Sequence, residues 1–299
     1  MGDDANGRMK ASLDAPVARV ERAASHYRTL KYDLHGGVDH KRRPVAVKRD
    51  DEGLEYRFYV GEIEPLDPAW PVVLGEALYD LRAALDHLVY ELHVRRFRGP
   101  PPKDVVEDCA FPIRVKEKTD KKGAAVPTSS WRQIKRLKRR DRDRIERLQP
   151  YKGWDDRDPT AAPIGHLRRV LWDIHRLTAI EKRYGLHPVP TLATSVAPPP
   201  FPGRVGFKRH PSVAIPLVSR ACVDRWTFAA APAAGQIDLH TSVYSGVGIE
   251  GAGGDAVDVL PLLGGCIIGV AVIIDRFVDR FPPSTAPEVD LSWIEENRE

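Results

Sequence analysis

Cysteine is scarce and unpaired: Cys109, Cys222 and Cys266 are the only three in 299 residues, and they lie far apart. An odd, scattered set gives neither a disulfide framework nor metal-ligand spacing, and it suits a reducing compartment. The chain also has no H-E-x-x-H, G-x-S-x-G or C-x-x-C. "GVGIEGAGGD" (246–255) fits neither a dinucleotide nor a Walker fingerprint and reads as a strand-connecting loop. No metal and no cofactor is therefore expected. An excess of one charge is missing too. The 46 Lys+Arg stand against 42 Asp+Glu, a net +4, so any nucleic-acid contact must come from a local patch.

Long apolar runs are few. The opening "MGDDANGRMKASLDAP" has no apolar segment to act as a signal peptide, and Asn6 is a poor match to an N-myristoylation site. The longest uncharged stretch, "VLPLLGGCIIGVAVII" (259–274), covers 16 positions. A bilayer span needs about 20, so this reads as a buried core helix, with no membrane partner and a cytoplasmic location. Its Gly265 and Gly269 form a G-x-x-x-G that allows close approach of another helix.

Helical periodicity is plentiful in the first two thirds. Residues 12–34 carry Val17, Val20, Ala24, Tyr27 and Leu30 at helical spacing behind Ser12 or Asp14 as cap. "VAVKRDDEGLEYRFYVGEI" predicts a β-hairpin over 44–62, with Val45 and Val47 facing Tyr56, Phe58 and Val60 across D-D-E-G. A second helix, 71–97, has Leu74, Leu78, Leu81, Leu85, Leu88 and Leu92 on one face and further apolar residues on the other, the pattern of a central helix. A mobile lysine-rich loop is expected after "FPI" (111–113). A third helix over 130–148 and a fourth over 164–185 follow, the latter with Leu167, Val170, Leu171, Ile174 and Leu177 as its buried stripe.

Proline-rich "HPVPTLATSVAPPPFPG" (187–203) predicts a linker. Short alternating runs and the apolar helix come after it. The expected fold class is α+β. Residues 1–11 form a flexible N-terminus, 12–186 a helical domain with the hairpin inserted, 204–281 a β-rich region closed by the apolar helix, and 282–299 a tail.

Two groups of residues carry candidate chemistry. Arg82 and His87 sit in "LRAALDHLVY", five positions and so about 140° apart on a helix. They diverge, so a shared site needs a partner helix, most simply that of a second subunit. The alternative is an Arg82–Asp86 ion pair with a hydrogen-bonded core histidine. On the fourth helix His175 shares a face with Arg168 and Lys182, whereas Glu181 falls on the buried stripe and would pair with Arg82. A cleft holding Arg82, His87, His175 and Glu181 would be an acid–base site. The second group is Lys135, Arg136, Lys138, Arg139 and Arg142, which reads either as a phosphate-binding patch or as a solvated, ion-paired face.

The R-x4-6-H spacing on a helix of a mainly helical domain resembles the HEPN superfamily, many of whose members are metal-independent ribonucleases of bacterial defence and toxin systems. That resemblance implies a four-helix fold and a homodimer, here through the 71–97 helix, acting on RNA. His87 would move the proton of the attacking or leaving oxygen, and Arg82 would stabilise phosphoryl charge. A longer stretch, "GEALYDLRAALDHLVYEL" with "FPI", "LQPY" (148–151) and "IEKRY" (180–184), is similar to a recurrent set of uncharacterised bacterial proteins over about 75–185. The resemblance to that set implies no activity. A non-catalytic helical binding or scaffold protein that dimerises is the other expectation.

Overall fold

The structure is a computed structural model that describes residues 11–36, 45–50, 52, 54–60, 67–116, 129–153, 162–186, 188–193, 204–209, 215–216, 222–231, 244–250 and 256–281. The terminal tails, most of the lysine-rich loop, residues 194–203 of the expected 187–203 linker and most of "QIDLHTSVY" lie outside the described residues. The class is α+β and mostly helical. The chain divides into two units: Met1–Arg28, Val73–Gly185 and Leu263–Glu299 make the first, and Thr29–Val72 with Leu186–Leu262 the second.

The first unit is built on long helices. Helix α1 (Asp14–Gly36) starts where Ser12 Oγ accepts from the Asp14 N–H at 3.0 Å, and the half-buried backbone of Ser12 is tied to Glu91 at 2.9 Å. Helix α2 (Ala69–Phe97) buries all six leucines of its expected stripe, together with Ala77, Ala84, Val89 and Val94 on the flanks. A helix apolar on so much of its circumference must have neighbours on more than one side.

Its neighbours can be read from single contacts. Asp80 on α2 has no solvent exposure and is met from α1 by Arg19 at 2.8 Å, Arg22 at 3.0 Å and His26 at 3.6 Å. A buried carboxylate is tolerable only with such partners. Helix α6 (Ala162–Tyr184) buries Leu167, Val170, Leu171, Ile174 and Leu177, as its periodicity predicts. Glu181 near its end lies over Gly75 of α2, 3.5 Å from where a Cβ at 75 would stand.

Helix α7 (Val259–Asp275) is the apolar segment. A Cβ on its Gly269 would stand only 2.7 Å from Val170 of α6, whereas one on Gly265 would meet nothing within 4 Å. The close approach expected of the G-x-x-x-G is thus made by one glycine of the two. Gly264 faces Tyr27 of α1 at ordinary contact distance. Together with the 3-10 turn that follows it, α7 is the one helix among the described residues long and apolar enough to cross a bilayer, and half of that span is buried in the protein.

The expected third helix is broken. Short helices α3 (Lys103–Val106) and α4 (Ser129–Arg132) precede a run of turns, and α5 (Arg139–Arg147) begins only after an extended Lys138. Arg132, Lys135, Arg136, Lys138 and Arg139 would stack like charges three and four apart on a continuous helix. The break relieves that repulsion and still buries Ile134, Leu137, Ile145 and Leu148. Arg144 of α5 then forks onto Asp279 at 2.6 and 2.9 Å.

The second unit holds the strands. The hairpin forms as its alternation predicts, β1 (Val45–Arg49) against β2 (Glu55–Val60), with Val45 opposite Val60 and Val47 opposite Phe58. Two-stranded ribbons are marginal alone, and β2 gains a second neighbour in β6 (Cys222–Phe228), which also pairs β4 (Arg204–Arg209) in the order β1-β2-β6-β4. A second antiparallel sheet runs β5-β3-β7-β8, from β5 (Ile215–Pro216), β3 (Pro188–Ala193), β7 (Tyr244–Glu250) and β8 (Ala256–Asp258).

The spatial division therefore cuts across the sequential one. The hairpin joins later strands rather than the helices that flank it, and α7 from Leu263 onward belongs with the helices. The start of the proline-rich segment is strand β3, not linker. Among the described residues Pro188 and Pro190 have a ladder on the β7 side alone, since β5 pairs Thr191 and Leu192. That is the setting in which a strand tolerates proline.

Candidate functional site

The stretch around Arg82 is held by a backbone clasp. Arg82 pairs with Asp86 at 2.9 Å, one helical turn on, as the i,i+4 spacing predicts. The pair also reaches a distant segment. Arg82 Nη2 donates to the Phe111 carbonyl at 2.7 Å, and the Phe111 N–H donates to Asp86 Oδ1 at 2.7 Å. Phe111 itself is wholly buried. Three residues on, the Arg114 N–H donates to Gln149 Oε1 at 2.9 Å, and the Arg114 carbonyl accepts from the Tyr151 N–H at 3.0 Å. Gln149 is held in turn by donating to the Ile145 carbonyl at 3.0 Å, and the Arg114 guanidinium lies over the Tyr151 ring at 4.6 Å.

"FPIR" is thus pinned at both ends, each time through an N–H and a C=O of one residue. Buried backbone polar groups need partners, and a segment that is neither helix nor strand must find them in side chains or in another stretch of backbone. The Arg and Asp of "LRAALDHL", the "FPI" and the "LQPY" are the parts of this device.

Beside the clasp lies a cleft of about 450 Å³ between α2 and α6. Helix α2 contributes Gly75, Leu78, Tyr79, Arg82, Ala83, Asp86 and His87, and α6 contributes Thr178, Glu181 and Lys182. Arg82 and His87 do diverge, but the cleft wraps about half of α2, so both line it. No second subunit is needed to bring both into one cavity.

The expected residues are distributed unevenly. Arg82, His87 and Glu181 line the cleft, and His175 does not. Glu181 is exposed rather than buried, and Arg82 turns to Asp86 and Phe111 instead of pairing with it. Glu181 sits near the end of α6 and faces Gly75 of α2, where a Cβ would be in ordinary contact with it at 3.5 Å. Among the described residues neither Glu181 nor Lys182 has an ion-pair partner, and His87 has no hydrogen bond.

Electrostatics follow burial. His87 is held below the ordinary histidine value by partial burial and then by Arg19, against a smaller opposing pull from Asp86. His175 is lowered by burial and by Arg82. Both imidazoles are therefore neutral at pH 7. Asp86 is raised because burial outweighs the attraction of Arg82. The Cys109 thiol is pushed up to about 12 by burial and by Asp86, so it is no nucleophile.

The basic group has a different setting. Lys135 and Lys138 are exposed in and after the turns, Arg136 pairs with Asp104 at 2.7 Å, and Arg139 faces Asp143 at 3.8 Å. Arg142 donates to the Lys135 carbonyl at 3.2 Å. None of the five lines the cleft. Among the described residues no group of three or more His, Cys, Asp or Glu is placed to hold a metal ion.

The residues that sequence reasoning missed are Tyr79, Thr178 and Lys182 in the cleft, and Phe111, Gln149 and Tyr151 in the clasp. The available signal was the resemblance that grouped "FPI" and "LQPY" with the helix motif. No protein-family model matches the chain, and neither does any curated protein or solved structure.

Proposed function

We propose that the helical unit is a HEPN-like, four-helix module that binds a small ligand in the α2–α6 cleft and serves in the cytoplasm as a non-catalytic binding or scaffold protein, able to pair with a second copy. The observation that carries this reading is the employment of Arg82. Its guanidinium is committed to Asp86 and to the Phe111 carbonyl, so displacing it onto a phosphate would open the clasp. Contacts from α1 to α2, α2 to α6, α6 to α7 and α7 back to α1 support the four-helix arrangement, with α7 in the place first expected for the 130–148 segment. The test is incubation of the full chain with total RNA and short RNA oligonucleotides beside His87→Ala. Both proteins are expected to leave the RNA intact.

A second reading, a metal-independent ribonuclease of a defence or toxin system, is favoured by His87. It is neutral, free of hydrogen bonds among the described residues, and lines the same cleft as Arg82. It would accept the proton of a 2′-hydroxyl while Arg82 stabilised phosphoryl charge, with Lys135, Arg136, Lys138, Arg139 and Arg142 holding RNA phosphates. RNA cleavage that disappears in His87→Ala would replace the first reading with this one.

A further inference from the structure

The polar groups of the α2–α6 cleft divide into those already used and those left open. Arg82 and Asp86 neutralise each other and grip Phe111. The Thr178 hydroxyl donates to the Ile174 carbonyl at 2.7 Å. Leu78, Ala83 and Gly75 add apolar floor. What remains, among the described residues, is one free carboxylate, Glu181, one free ammonium, Lys182, the His87 imidazole without a hydrogen bond, and Tyr79, which is 64% exposed.

We infer that the cleft takes a small zwitterion, a molecule with one amine and one carboxylate, whose two ends are received by Glu181 and Lys182. This rests on the binding reading above. A phosphate or polyanion would meet the Glu181 carboxylate with one free cation among the described lining residues to offset it, and a simple amine would meet Lys182 in the same way. A ligand with one charge of each sign leaves neither group opposed. The exposed Tyr79 ring adds a face for the ammonium end, an attraction that grows as water is excluded. A cavity of about 450 Å³ admits a ligand of amino-acid size with room to spare.

The experiment is ligand-observed NMR followed by calorimetry on the full chain. The probes are a mixture of free amino acids, ethylamine and acetate separately, and inorganic phosphate. At least one amino acid is expected to bind saturably, with affinity falling about tenfold in Glu181→Gln and again in Lys182→Met. Both side chains are exposed, so both variants should keep the wild-type urea transition. Equal binding of ethylamine or acetate alone overturns the paired-charge assignment while leaving a binding cleft in place. Displacement of the amino acid by phosphate overturns it too, as does failure of every amino acid to bind. His87-dependent RNA cleavage is a separate outcome and overturns the binding reading beneath it.

Discussion

Replacing Arg82 by methionine should destabilise the helical unit, whatever it does to any ligand. The change keeps the length of the side chain but removes the donor to the Phe111 carbonyl at 2.7 Å and the partner of Asp86 at 2.9 Å. A hydrogen bond from a charged donor contributes about 1.5–3 kcal/mol. The ion pair, with side chains 26% and 32% exposed, adds no more than about 1 kcal/mol after solvent screening. The expected loss is therefore about 3 kcal/mol, read from urea denaturation followed by circular dichroism at 222 nm.

Arg82→Lys should recover little of this, because an ammonium cannot bridge a carbonyl and a carboxylate in the fixed geometry of a guanidinium fork. Combining Arg82→Met with Asp86→Asn should cost less than the sum of the two, by about 1 kcal/mol, since both act on Phe111. A loss below about 0.5 kcal/mol for Arg82→Met, or strict additivity in the cycle, would sink the clasp and return Arg82 to the pool of side chains available for chemistry.

Other sites give independent checks. Gly269→Ala would drive a methyl to 2.7–2.8 Å from the Val170 side chain and should cost about 1–3 kcal/mol in the same urea assay; Gly265→Ala, facing open space, should cost nothing or add about 0.5–1 kcal/mol through helix propensity. Gln149→Leu leaves the buried Arg114 N–H unpaired and should cost about 1–3 kcal/mol, visible also as faster hydrogen exchange at Arg114. His93 is buried, with Nε2–H donating to the Gln133 carbonyl at 3.1 Å, and is held below the ordinary histidine value by burial first and Arg136 last, against the Gln133 bond. A lowered folded value means the unfolded chain binds the proton more readily, so this stability is present above about pH 6.5 and drains away as pH falls below it. Unfolding at pH 7.5 and 5.5 should show a smaller difference in His93→Phe than in wild type; an unchanged difference would refute the assignment.

What could be read in advance was whatever depends on neighbours along the chain. Helices α1, α2 and α6 and the hairpin announce themselves because their periods repeat over many residues, and the Arg82–Asp86 pair because it spans one turn. The 130–148 segment misled because apolar spacing says nothing about the repulsion of five cations stacked beside it. The 187–203 segment misled because proline forbids helix but only restricts strand. Pairing with β7 along the whole of β3 decides the matter, and that is a tertiary fact. Glu181 misled for a similar reason. Its position continues the buried stripe of α6, yet the helix ends only three residues later and the side chain is exposed over Gly75 of α2.

The clasp also changes what the helix pattern can mean. A short pattern that contains Arg, Asp and His invites a catalytic reading. Here the Arg and Asp are spent on one residue, Phe111, and the Gln and Tyr of "LQPY" on another, Arg114, three positions away. Each contact has a geometric requirement as strict as that of an active site, because a backbone N–H and C=O can be satisfied together only by groups of fixed spacing. Of the motif's polar side chains in the cleft, Tyr79, His87, Glu181 and Lys182 stand outside the clasp. Chemistry, if the module performs any, must be carried by those four.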